Sequence, residues 1–174
     1  MTRQTALSRV LNFTEDDLTA NGEGRLSETQ RARLRSQMVF WGIGGGLMFL
    51  IMALALIGLL NLQFNLLSLI GMAVVGLLML VFGAGTWIEV SERWFDLYKG
   101  VVLSVTGEAE LYVRSRVQGV AYHSMKIGGL DFPLPDPVQL AFYPGDRYEV
   151  FYTPKAKIIM SAVRLDEPDA PELN

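Results

Sequence analysis

The sequence predicts an α+β membrane protein: a two-helix transmembrane hairpin followed by a small antiparallel β-barrel, SH3-like or OB-like, with a PH-like sheet ranked second. Three observations predict it. From Met38 to Ile88 the chain carries no charged residue. That stretch holds two apolar blocks, residues 38–60 and 66–88, each of 23 residues. Each is long enough to cross a hydrocarbon core of about 30 Å as a helix. After residue 100 the pattern changes to period two with β-branched residues, the signature of half-buried strands.

Residues 1–37 read as a cytosolic helical arm. Thr14 followed by Asp17 is a helix-start signal, a capping hydroxyl with an acid three residues on. Asn21, Gly22 and Gly24 stop that helix. Ser27 and Gln30 form a second capping box, which starts a helix able to run through Arg35 into the first apolar block. A calcium-loop pattern overlaps this region, with Asp17, Thr19, Asn21, Gly22 and Glu28 at its positions 1, 3, 5, 6 and 12. Thr19 is a poor ligand there, Gly24 replaces the apolar residue that links paired loops, and no second loop exists. Helix stop, turn and capping box explain the same residues without a metal.

The two apolar blocks form the hairpin. Asn61, Leu62, Gln63, Phe64 and Asn65 join them, too few for a folded loop and without charge. The first block lies behind an Arg-rich stretch and is too long for a secretory apolar region, so it reads as a retained span. Arg25, Arg31, Arg33 and Arg35 precede it. The positive-inside rule therefore places the N-terminus in the cytoplasm and the linker outside, and two crossings return the C-terminal part to the cytoplasm. Arg31, Arg33 and Arg35 are expected to anchor at lipid headgroups, with Trp41 and Trp87 at the interface near the same ends of the spans. Gly42 and Gly46 make a GxxxG pair for close helix packing, within the hairpin first and between two copies second. No ionisable residue lies in either span, which argues against an ion or proton path through one chain.

Residues 89–100 read as an interfacial linker, with Trp94, Phe95, Leu97 and Tyr98 among Arg93, Asp96 and Lys99. The β domain spans residues 101–165. Strands are predicted at 101–106, 108–117, 121–127, 131–134, 147–152 and 157–165, with a single helical turn at 138–143. Gly107, Gln118-Gly119, Gly128-Gly129, Pro144-Gly145-Asp146 and Thr153-Pro154 are the predicted breaks. The expected core is Val102, Leu111, Val113, Tyr122, Met125, Ile127, Phe132, Leu140, Tyr148, Val150, Tyr152, Ile159 and Val163. The tail, 166–174, with four acids and two prolines, is predicted to be disordered.

Little chemistry emerges from these residues. There is no cysteine and one histidine, His123, which removes disulfides, thiolate catalysis, cysteine zinc sites and histidine pairs. Glu108 and Glu110 share a strand face, as do Arg114 and Arg116, with Lys126 nearby; an exposed sheet face accounts for all of them. Residues 89–174 hold nine Lys/Arg against thirteen acids, which argues against nucleic acid as a partner. No catalytic, cofactor or metal site is predicted. The loop with Pro133, Pro135 and Pro137 is the best candidate contact surface. The chain is therefore expected to be a non-enzymatic membrane-anchored module that presents a β domain to a protein partner or to the membrane surface. The alternatives are an accessory subunit of an oligomeric transporter, channel or secretion complex, and an enzyme on lipid or envelope substrates, which lacks a convergent acid, base and nucleophile.

Leu18, then Asn21, Gly24, Leu26, Ser27 and Gln30, with the hairpin and the run from Tyr148 through Thr153-Pro154-Lys155, give a pattern across most of the chain. It resembles a loose group of uncharacterised bacterial two-span membrane proteins with a small C-terminal cytosolic β domain. The resemblance implies bacterial origin; with the charge pattern, the expectation is an inner-membrane protein, multi-pass with both termini cytoplasmic, whose partners are the lipid bilayer and a protein partner or second copy, with no nucleic acid. It implies no activity and no functional residue.

Overall fold

Two reciprocal capping boxes start the helices that organise the N-terminal half. Thr14 Oγ1 accepts from the Asp17 N–H at 3.2 Å, and Asp17 Oδ2 accepts from the Thr14 N–H at 2.9 Å. Ser27 Oγ accepts from the Gln30 N–H at 3.1 Å, and Gln30 Oε1 from the Ser27 N–H at 3.3 Å. Each box satisfies orphan donors of a first helical turn. In the computed structural model, which describes residues 3–61, 66–115, 121–135, 138 and 140–165, the helices are α1 (Arg3–Leu11), α2 (Glu15–Gly22), α3 (Glu28–Leu60) and α4 (Leu66–Lys99). The strands are β1 (Leu103–Glu108), β2 (Glu110–Ser115), β3 (Ala121–Ile127), β4 (Leu130–Leu134), β5 (Arg147–Tyr152) and β6 (Ile159–Arg164). Leu62 to Asn65, Arg116, the Gln118-Gly119 break, Pro137 and the tail at 166–174 lie outside the described residues, as do the side chains of Arg114 and Tyr122.

The chain forms two compact units, Met1–Arg31 with Lys99–Asn174, and Ala32–Tyr98. The second is a pair of long apolar helices, each long and apolar enough to cross a membrane. They pack antiparallel: a Cβ on Gly45 would collide with Thr86 Cγ2, and one on Gly71 would fall 3.4 Å from Leu59 Cδ2. α4 does not stop near residue 88. It continues through the stretch expected as an interfacial linker and ends at Lys99. Nothing between Glu89 and Lys99 is Gly or Pro, so no residue there breaks a helix. Gly100, at φ +63°, ends it in the left-handed conformation that favours glycine.

In the first unit, the residues before α3 pair with those after α4. Arg25 and Val101 form an antiparallel bridge, flanked by Leu26 N–H to Gly100 O at 3.0 Å and Val102 N–H to Gly24 O at 2.9 Å. The strands beyond this bridge do not close into the expected barrel. They form two three-stranded antiparallel sheets, ordered β1-β5-β6 and β2-β3-β4. The chain passes from one sheet to the other at Ala109, whose N–H donates to Asp146 O and whose carbonyl accepts from the Gly145 N–H. Gly107, expected as a break, lies within β1, where it allows a close backbone crossing: a Cβ there would sit 2.9 Å from Gly128 N. Gly128 and Gly129, at φ +55° and +82°, make the two-residue turn between β3 and β4.

The core holds Met125, Ile127, Phe132, Tyr148 and Val150, all fully buried. The Phe132–Tyr152 and Phe142–Tyr148 ring pairs meet edge to face, with centroids 5.1 and 5.0 Å apart. Three expected core residues are outside it: Val113 is 60% exposed, Leu140 76%, and Val163 is half-buried and not packed against it. In their place Leu7, Leu11 and Phe13, from the stretch read as a separate arm, join the β core. α1 and α2 both pack on β6. That explains why Ile159, Met160, Ser161 and Ala162 are all buried, where a one-sided strand would alternate. Asn21 Nδ2 donates to Ser161 Oγ at 2.6 Å, and Gln30 Nε2 to Met160 O at 3.3 Å. Helices on β6 supply the cover that barrel closure was expected to supply.

Candidate functional site

The helix pair carries a groove of about 530 Å³ between α3 and α4. Trp41, Gly42, Gly46 and Trp87 all line it. The sequence divides these residues between headgroup anchoring and helix packing; the structure brings them together. The close helix contact belongs to Gly45 against Thr86, a pair that no sequence motif marks. At Gly42 and Gly46 an added Cβ would meet nothing within 4 Å. Beyond the groove, Arg93 Nη1 donates to Gln37 Oε1 at 3.0 Å across the two helices, and Arg93 Nη2 pairs with Glu89 at 3.1 Å. Asp96, one turn further along α4, is wholly buried.

The three arginines before the first span have different surroundings. The Arg31 guanidinium lies over Gly100, where a Cβ would come 2.8 Å from Arg31 Nη2. It therefore sits at the carbonyl end of α4, where a positive charge is favoured. Arg33 is half-buried and Arg35 exposed.

Pro133 and Pro135 are exposed. Pro133 stands in β4 opposite Ser124, on a strand whose second edge pairs with no other described strand. Proline lacks the N–H that such an edge would offer to another chain. Val138 N–H to Pro135 O and Ala141 N–H to Val138 O close tight turns after it. These turns bury Ala141 and Phe142 and leave Leu140 and Tyr143 outward.

Of the calcium-pattern side chains, Asp17, Thr19 and the Asn21 amide nitrogen have other partners. Asp17 Oδ2 serves the Thr14 cap, and Asp17 Oδ1 accepts from the Ser27 hydroxyl. Asn21 reaches Ser161, Thr19 Oγ1 donates to Glu15 O at 3.0 Å, and Glu28 is exposed. Among the described residues no three His, Asp or Glu side chains are grouped to hold a metal ion. His123 is half-buried on β3, opposite Val113 and Leu134. Glu108 and Glu110 are exposed and belong to different sheets rather than to one strand face, because the chain bends at Ala109 between them. Lys126 is exposed. Burial pushes the Tyr148 hydroxyl above the ordinary tyrosine range, against the opposing pull of the Tyr143 N–H that donates to it at 3.1 Å. Beside it Asp146 Oδ1 pairs with Arg164 Nη2 at 2.9 Å.

Comparison with protein-family models, curated proteins and solved structures gives no match. The likeness to two-span bacterial membrane proteins thus rests on its short motifs alone.

Proposed function

We propose that this chain is a membrane-anchored, non-enzymatic module whose β domain binds a protein partner or the membrane surface. The observation that carries this reading is the turn after Pro135. Leu140, a large apolar side chain, is 76% exposed there, on the same short segment as the exposed Tyr143 and next to Pro133 and Pro135. Apolar and aromatic residues grouped on one loop of a rigid sheet are the usual makings of a contact surface. In this reading α3 and α4 span the inner membrane, and the Arg25–Arg35 cluster keeps both termini in the cytoplasm.

The alternative is an accessory subunit of an oligomeric transporter, channel or secretion complex. The uncharged spans favour the anchored module, because they supply no ionisable path of their own. A photo-crosslinking amino acid at position 140 of the full chain, in cells, tests the first reading. It should give a discrete protein or lipid adduct, while the same probe at the exposed Lys155 gives none. Equal labelling at the two positions, or none at 140, would count against this surface.

A further inference from the structure

The groove between α3 and α4 has a composition that helix packing does not explain. Glycine costs a helix about 1 kcal/mol relative to alanine in a soluble setting, so each one needs a reason. Gly45 has one, since Thr86 leaves no room for a Cβ. Gly42, Gly44, Gly46 and Gly83 line the same groove, and a Cβ at any of them would meet nothing within 4 Å. These four bring no atoms closer together. What they produce is the volume itself, about 530 Å³ within the range of roughly 300–1,000 Å³ typical of ligand sites.

The chemistry changes one helical turn beyond this groove. Val90 lines it, and Arg93 follows one helical turn later on the same face of α4. Gln37 precedes Trp41 by one turn on α3, and the Arg93–Gln37 hydrogen bond spans the two helices there. Arg93 Nε is buried and has no hydrogen-bond partner among the described residues. A buried guanidinium N–H without an acceptor is costly, and a phosphate oxygen is the acceptor that guanidinium geometry fits best. An apolar trough that carries two tryptophans, with an arginine one helical turn beyond its last lining residue, has the polarity profile of one molecule: an apolar chain with a phosphate head.

We propose that this groove binds a bilayer phospholipid, with one acyl chain along the glycine-lined trough and its phosphate at Arg93. The proposal rests on the membrane reading of α3 and α4. It differs from contact with bulk lipid in being stoichiometric and in surviving detergent exchange.

Native mass spectrometry of the delipidated full chain in mild detergent, with dioleoyl phosphatidylglycerol or dioleoylglycerol added back, tests it. The wild-type chain should retain one phosphatidylglycerol. The Gly42→Leu/Gly46→Leu variant, which fills the trough without a clash at either Cβ, should lower occupancy by about tenfold, a loss of about 1.4 kcal/mol. Gly76→Leu has the same open space but lies outside the groove, so it should bind as the wild type does. Arg93→Gln should weaken phosphatidylglycerol and leave dioleoylglycerol unchanged. Unaltered lipid occupancy in the filled variant overturns the site. So does a wild-type dimer that the filled variant dissociates, because a second copy would then occupy the groove. Equal binding of the two lipids overturns the role of Arg93. Alkaline carbonate washing separates the two levels of failure: a chain that washes off refutes the membrane reading, and a chain that stays but ignores the groove variants refutes only the lipid site.

Discussion

The two units use the same residue types under opposite rules. In the unit that holds the sheets, large apolar side chains turn inward: Phe132, Tyr148, Met125 and Leu7 are all buried. In the helix pair they turn outward, and Phe40, Leu67 and Trp87 are each more than 70% exposed. Glycine divides in the same way. Gly107 and Gly128 permit backbone to pass against backbone, whereas Gly42, Gly44 and Gly46 face open space. A sheet unit with water outside must hide apolar surface from it. A helix pair with hydrocarbon outside has no such need, and packs by close contact at a few small residues. The contrast is the one that the proposed membrane reading of the helix pair predicts.

Substitutions that obey one rule and violate the other sharpen the comparison. The largest effect is expected from Leu7→Ala. If α1 belongs to the core, losing this buried side chain should cost about 3–5 kcal/mol in denaturant unfolding of the sheet unit. A loss under about 1 kcal/mol, the range of surface changes, would return α1 to the status of a separate arm. Gly128→Ala comes next. It combines a left-handed backbone at φ +55° with a Cβ that would lie 2.5 Å from Val105 Cγ2. Strain and overpacking together should cost about 2–4 kcal/mol, read by the same unfolding experiment.

Tyr148 gives a smaller, pH-dependent effect. Its folded pKa is raised above 10.0, the value expected in the unfolded chain. Its contribution to stability is complete below pH 10.0 and declines as pH rises through the folded value, because the unfolded chain ionises first. Tyr148→Phe should remove that part of the alkaline decline, seen as a shallower loss of stability above pH 10.0 than in the wild-type chain. Gly44→Ala should do least. With open space at its Cβ and a helical backbone, it should leave thermal stability in detergent unchanged or raise it by at most about 1 kcal/mol.

Much of this architecture is legible in the sequence because it is local. Both capping boxes depend on residues three apart, and both form. β3 and β5 match the period-two segments at 121–127 and 147–152 residue for residue. The misses are non-local. Period two marks the two faces of a strand but does not choose its neighbour, so the positions of six strands do not reveal two separate sheets. Leu7 and Leu11 stand four apart, the spacing of one helix face, and that spacing is the local signal of the stripe that α1 buries. Leu140 reads as core because it is an apolar residue beside strands, but the turns after Pro135 orient Ala141 and Phe142 inward instead. The groove is hidden for another reason. Gly42 and Gly46 fit a packing motif, and only three-dimensional packing separates a glycine that lets helices touch from one that leaves open space beside it.

Both proposals depend on α3 and α4 crossing a bilayer with the sheet unit on the Arg-rich side. The chain has no cysteine, so single cysteines placed at Asn61 and at Lys155, both exposed, give a clean reading with a membrane-impermeant maleimide on intact cells. The expected result is that Asn61→Cys is labelled without permeabilisation and Lys155→Cys only after it. Labelling of Lys155→Cys on intact cells, or of neither variant until the membrane is opened, would contradict this topology.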